Sequence, residues 1–256
     1  VSEQANTFEY PLNERIRKFL RLEYLFNKLN YFLPQTEEWS SRLALESLIE
    51  ILIITREEVD VEILSELERC KAILEPFEKQ IKVDSSTLKR ILDNITGAME
   101  KIRSLDDKTA QPLRDNSLLR SVWQRTSIPG GTCNFDLPQY AHWLNQSYVQ
   151  RRNQIETWMQ NTLPIWDGIK LFLSLIRDSC DPKPAQALSG LYQHPKDIST
   201  AQLQMIRVQL DSNLELIPEV SGYKQHFNVR FMEANKADHL IQTTHDINFS
   251  LTCCIF

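Results

Sequence analysis

The chain has 256 residues, 42% of them hydrophobic and 25% charged, with a formal net charge of −5 at neutral pH. That length can bury a real core in one large domain or two modest ones, and the composition is that of a globular protein. The acidic balance, with a sequence pI of about 5.6, argues against a protein that works mainly by clamping nucleic-acid phosphates, which is basic as a rule.

Residues 1–7 are polar and lack the apolar core of a signal peptide. From there the first two-thirds reads as helix, because proline and glycine are sparse and apolar residues recur at intervals of three and four. The spacing predicts a helix over 11–33, with Ile16, Phe19, Phe26, Leu29 and Leu33 on one side and Pro34 as its stop. Further helices are expected over 37–55, 59–81 and 86–104, the last capped by Ser85 or Ser86. A loop is expected over 105–116, then short helices over 118–125 and 138–144 around the Ser-Ile-Pro-Gly-Gly-Thr turn at 127–132. Residues 148–180 form a long helical pattern that Pro164 should kink or split. The longest apolar run, 48–54, contains Glu50 and is far too short to span a bilayer.

Near Asp181-Pro182-Lys183-Pro184 the hydrophobic period changes to two. Ile206, Val208 and Leu210 alternate with Arg207, Gln209 and Asp211. Tyr223, Phe227, Val229 and Phe231 alternate with Lys224, His226, Asn228 and Arg230. Ile247, Phe249, Leu251 and Cys253 alternate with polar residues, and 191–194 is a short further strand. Loops are expected over 194–200, 212–222 and 233–239. The expected fold is therefore α+β: an all-helical N-terminal domain over 8–182, followed by an antiparallel β-sheet domain over 183–256 with one packed and one wet face.

The chemistry of catalysis is not visible. The six glycines form neither a GxGxxG nor a Walker loop. The five histidines show no HxxxH or HExxH spacing, and no GxSxG is present. Five cysteines (Cys70, Cys133, Cys180, Cys253 and Cys254) lack any CxxC pair and read as reduced thiols of a reducing compartment. His239, His245, Cys253 and Cys254 could be drawn together as a metal set, but their spacing is poor for one, and strand and loop roles are the ordinary reading. No enzyme, cofactor, metal, nucleic acid or membrane is expected.

Two basic constellations stand out. On the first helix, at about 100° per residue, Arg17, Arg21 and Lys28 share a narrow arc opposite Phe19, Phe26 and Leu33. On the strand after Gly222, period-two geometry puts Lys224, His226, Asn228 and Arg230 on one sheet face. Either can be a surface for an acidic partner, and either can be an ordinary solvated face. On the residues alone, the chain is a cytosolic α+β binding module or scaffold for an unnamed partner.

Four segments carry a resemblance: FEYPLNERIRKFLRLE at 8–23, RTSIPGGTCNFDLP at 125–138, SGYKQHFNVRFM at 221–232 and FSLTCC at 249–254. In this order they are similar to the ZapD family of cell division proteins. The resemblance implies a helical domain joined to a β-strand domain and a cytoplasmic homodimer at the midcell division site. It also implies binding to the C-terminal tail of the tubulin-like protein FtsZ and bundling of its filaments in the Z-ring during septation. It points to Arg56, Lys224, His226 and Arg230 as tail-binding residues, His226 standing where the family pattern has Arg. The face of Arg17, Arg21 and Lys28 is a possible accessory.

Overall fold

In the computed structural model, the described residues are 5–79, 85–105, 111–195, 203–223, 226–235 and 239–255. The chain divides into a helical unit, Lys18–Phe172, and a sheet unit made of Val1–Arg17 with Leu173–Phe256. Each is described in turn.

Helix α1 (Glu14–Phe32) forms because its apolar residues fall on one stripe. Phe19, Leu22, Phe26 and Leu29 are fully buried, each worth about 1.5–3 kcal/mol of transfer free energy. Within the helical unit Phe26 stacks on Trp166 at 4.7 Å, and Phe19 meets Phe172 edge-on at 5.7 Å. Helix α2 (Glu38–Ile54) is apolar on most sides and correspondingly buried. Helix α3 (Val59–Leu74) stops short of residue 81: Glu75 is still helical in its backbone, but Pro76 has no N–H to donate to the Ala72 carbonyl, and a 3-10 turn, Glu75–Lys79, follows. Residues 80–84 lie outside the described residues.

Helix α4 (Ser85–Arg103) comes next, and the stretch read as loop holds a short helix α5 (Gln111–Asp115). Asn116 then caps α6 (Ser117–Arg125), its side-chain oxygen accepting from the Leu118 and Leu119 amides at 2.9 and 3.2 Å. Helix α7 (Pro138–Leu144) leads to a capping box at Ser147 and Gln150, which starts α8 (Tyr148–Met159). The expected break is present: a 3-10 turn, Gln160–Thr162, separates α8 from α9 (Leu163–Arg177). Pro164 sits in the first turn of α9, where its missing N–H costs nothing.

One buried cation holds the junction of α7 and α8. Arg151 is 6% exposed. Its Nε donates to Ser41 Oγ at 2.9 Å, Nη1 to the Leu144 carbonyl at 2.8 Å and Nη2 to the Thr36 carbonyl at 3.1 Å. The bond to Leu144 satisfies a carbonyl that the C-terminal end of α7 would otherwise leave unpaired.

Among the described residues of the sheet unit, eight strands make two antiparallel sheets: β1 (Ala5–Pro11), β2 (Lys183–Ala187), β3 (Leu191–Gln193), β4 (Leu203–Asp211), β5 (Ile217–Tyr223), β6 (His226–Ala234), β7 (Leu240–Gln242) and β8 (Ile247–Ile255). One sheet has the order β1-β4-β8-β2. The other is β3-β6-β5, with β7 also pairing β6. Inward residues of both sheets, including Val208, Phe231, Phe249 and Leu251, join one core. Phe249 meets Tyr192 at 5.3 Å and Phe231 at 5.0 Å. The fold class is α+β.

Strands β1, β2, β5 and β7 were not expected. β5 occupies most of the 212–222 segment read as a loop. Pro218 faces Phe231 on β6, but the Phe231 backbone bonds in the other direction, accepting from Thr243 and donating to Gly190. The missing N–H of Pro218 therefore points off the free edge of the sheet, where a ladder does not need it. Pro11 on β1 and Pro184 on β2 likewise belong to edge strands.

Candidate partner-binding site

On β6 the side chains alternate as the sequence predicts. Phe227, Val229 and Phe231 are buried, while His226, Asn228 and Arg230 are exposed. Phe227 and Phe231 turn their backbone bonds toward β3 and β7, through the amides of His194 and Thr243 and the Gly190 carbonyl. The even-numbered residues therefore make the narrow pairs with β5: Arg230 with Glu219, and Asn228 with Ser221. On the other side Arg230 lies beside Leu191 and Asn228 beside Gln193. Both exposed polar residues are thus mounted on the central strand of the sheet.

Among the described residues, Arg230 has no ion-pair partner. Glu219 is the carboxylate set directly across the strand from it. An exposed guanidinium in this setting keeps its five donors available for a carboxylate. Lys224, the further basic residue expected here, lies outside the described residues.

Arg56 belongs to the helical unit. It stands in the tight turn 55–58 between α2 and α3, which is held at both ends. The buried Thr55 hydroxyl donates to the Ile51 carbonyl at 2.9 Å, and the Arg56 and Glu57 amides donate to the Ile53 and Ile54 carbonyls. Glu58 adopts a left-handed φ of 55°. The Arg56 guanidinium lies 5.3 Å from the centroid of the Trp123 ring, a cation–π contact worth about 0.5–1 kcal/mol when exposed. Two nearby acids are engaged by Lys18, whose Nζ lies 3.7 Å from Glu57 and 3.1 Å from Glu62. Arg56 is thereby oriented by an aromatic face, and among the described residues it has no ion-pair partner. Sequence reading missed Trp123 as this platform, because nothing in its spacing links it to the 55–58 turn.

The α1 stripe is not uniform. Arg17 is committed, 3.2 Å from Glu14 and 5.7 Å from the Tyr10 ring centroid. Arg21 is exposed and Lys28 half-exposed. A cleft of about 340 Å³ in the helical unit is lined by Glu46, Ile49, Glu50 and Ile53 of α2 and by Arg125 and the 126–132 turn. Burial raises the Glu46 carboxyl above its ordinary range, and Lys28 opposes that shift.

Two of the cysteine thiols are buried and held protonated. Burial pushes the Cys70 and Cys254 thiols up to about 12, so both are neutral and poor nucleophiles at physiological pH. Cys133 donates to Asp136 at 3.4 Å. Among the described residues no group of three or more His, Cys, Asp or Glu is placed to hold a metal ion. No helix among them is long and apolar enough to cross a membrane.

Comparison with known proteins gives a consistent picture. The sequence model of a family described as "ZapD: Cell division protein" matches residues 20–230. The chain is 37% identical over 252 residues to the "Cell division protein ZapD" of Chromobacterium violaceum, covering 98% of this chain and 99% of that one. It is 35% identical over 249 residues to the protein of the same name from Methylococcus capsulatus, covering 97% of each chain. The Azoarcus protein of that name is likewise 35% identical over 249 residues, covering 97% of this chain and 98% of the relative.

Proposed function

Because the chain belongs to the ZapD family of cell division proteins, we propose that it binds the C-terminal tail of FtsZ and, as a homodimer, cross-links FtsZ filaments at the cytoplasmic division ring. The observation that carries this reading is a pair of exposed arginines on rigid mounts: Arg230 on the central strand of its sheet and Arg56 in the turn against Trp123. Neither has an ion-pair partner among the described residues. His226 lies on the same face as Arg230, and Lys224 precedes it in sequence.

A short tail bearing carboxylates at the end of a disordered linker loses conformational entropy on binding. Charge-assisted hydrogen bonds of about 1.5–3 kcal/mol each offset that loss, and modest single-site affinity results. Modest affinity suffices, because a filament displays many tails and two linked sites gain avidity without new contacts. The work is binding, with no chemical step for a side chain to perform.

Co-pelleting with FtsZ filaments tests the partner. The protein should pellet with full-length FtsZ and increase its light scattering. With filaments of FtsZ lacking the C-terminal tail, both effects should vanish. Equal pelleting with tail-less filaments would move the contact elsewhere on FtsZ. No pelleting with either would leave a scaffold for another partner.

A further inference from the structure

The cleft of about 340 Å³ in the helical unit combines apolar walls with unpaired acids. Ile49, Ile53, Ile128 and Pro129 line it, and Glu46 and Glu50 of α2 place two carboxylates among them. Glu46 is half-buried and Glu50 exposed. Neither has a hydrogen-bond or ion-pair partner among the described residues. Arg125, the cation on the wall, is paired with Asp136 at 3.4 Å. Lys28 acts on Glu46 without forming an ion pair with it, and burial still raises the Glu46 carboxyl above its ordinary range. A carboxylate so placed is stabilised by a cation that enters beside it.

The wall opposite α2 is preformed. The Ile128, Gly131 and Cys133 amides donate to the Arg125, Ile128 and Gly130 carbonyls at 3.0, 2.9 and 3.0 Å. Gly131 is packed so closely that a Cβ there would stand 2.8 Å from both the Arg125 carbonyl oxygen and Ile128 Cβ. Apolar walls with unpaired carboxylates suit a lysine or arginine side chain, which has an aliphatic stem and a cationic head. The cleft also adjoins the mount of Arg56. The Ile53 carbonyl accepts from the Arg56 amide at 3.3 Å, and the Trp123 carbonyl accepts from the Thr126 amide at 3.2 Å. A segment lying across both meets a cation at Arg56 and two anions in the cleft.

We propose that this cleft takes a lysine or arginine side chain of the same FtsZ tail whose carboxylate Arg56 binds. The inference rests on the FtsZ-tail reading above and adds a charge pattern to it: a basic residue close in sequence to an acidic one. Glu46 and Glu50 then discriminate against segments that carry carboxylates alone, which meet like charge there.

A double-mutant cycle read by fluorescence anisotropy tests it, with circular dichroism as the check of folding. The full chain is taken as wild type and with Glu46→Gln and Glu50→Gln together. The labelled FtsZ C-terminal peptide is taken in its natural form and with each lysine and arginine replaced by norleucine, which keeps an aliphatic stem and removes the charge. If the cleft had no role, removing two carboxylates near Arg56 would tighten the binding of an acidic peptide. The proposal predicts the opposite sign: the variant should bind the natural peptide about 10-fold more weakly than the wild type does. The norleucine peptide should lose a similar factor against the wild type, and the variant should bind it no more weakly than the wild type does, because both changes remove one contact. Unchanged or tighter binding of the natural peptide by the variant, or losses that multiply, would overturn the cleft while leaving the FtsZ-tail reading. A wild type that does not bind the natural peptide would overturn both. If the double variant does not fold, Glu50→Gln alone, at an exposed position, takes its place in the same cycle with the same outcomes.

Discussion

Glu9 and Arg177 form a two-point ion pair. Arg177 Nε donates to Glu9 Oε1 at 2.9 Å, and Nη2 donates to Oε2 at 2.7 Å. Arg207, the direct cross-strand neighbour of Glu9, places its Nε 3.1 Å from Oε1, close enough for an ion pair though not aligned for a hydrogen bond. One carboxylate on the first strand therefore ties that strand to the end of α9 and to β4, across 168 residues of sequence.

Glu9→Ala removes the shared anion and leaves two partly buried arginines facing each other. Both sides of the pair are about one-fifth exposed, so solvent screens part of the loss. A cost of about 1–2 kcal/mol is expected, read as a lower urea midpoint with an unchanged slope. Glu9→Gln should cost less, since one hydrogen bond survives.

Arg151 makes the opposite case, a buried cation bonded mainly to carbonyls. Arg151→Ala should cost about 3–5 kcal/mol, because the Leu144 and Thr36 carbonyls and the Ser41 hydroxyl are left unpaired. Arg151→Lys should recover little, as one ammonium cannot reach partners arranged around a planar fork. Thermal unfolding of both variants checks the ranking.

Arg56 should respond to shape as well as charge. Arg56→Ala is expected to weaken FtsZ-tail binding by about 1.5–3 kcal/mol, roughly 10- to 150-fold. Arg56→Lys keeps the charge but loses the stacked plane on Trp123 and should fall between the two. Titration calorimetry at two salt concentrations should show weaker salt dependence for Arg56→Ala than for wild type. Equal affinities for the three proteins would remove Arg56 from the site.

The buried thiols carry a pH signature. Cys70 and Cys254 hold their protons up to about 12 in the folded chain, against an ordinary value of 9.0. A raised folded value means the native state binds the proton more tightly than the unfolded one. Their contribution to stability is complete below 9.0 and is lost as pH rises toward about 12. At mildly alkaline pH, iodoacetamide should leave both unmodified in the native protein and modify both in urea, as read by mass spectrometry.

Much of this architecture is written in the sequence, and what is hidden has physical causes. The 3.6-residue period on α1, with Pro34 behind it, and the two-residue period on β4, β6 and β8 mark buried faces, so those elements are readable. Strands β1, β2 and β5 are edge strands carrying Pro11, Pro184 and Pro218, which local rules treat as strand breakers. Only pairing with β4, β8 and β6 makes them strands. β7 has three residues, all exposed, and offers no pattern at all. At the site, alternation places His226 and Arg230 on the open face of β6. The contact of Arg56 with Trp123 spans 67 residues and leaves no local trace. On α1 the charges Arg21 and Lys28 are conspicuous, whereas Tyr24 and Tyr31 look like core residues until their exposure is known.

The most direct test of the central claim is fluorescence anisotropy of a labelled FtsZ C-terminal peptide titrated with the wild-type chain and with Arg230→Glu. Saturable binding by the wild type, lost in a variant that keeps its circular dichroism spectrum, is the expected result. Wild-type binding that Arg230→Glu leaves unchanged would contradict the β6 site. A peptide that stays free even at high protein concentration would contradict the proposed partner itself.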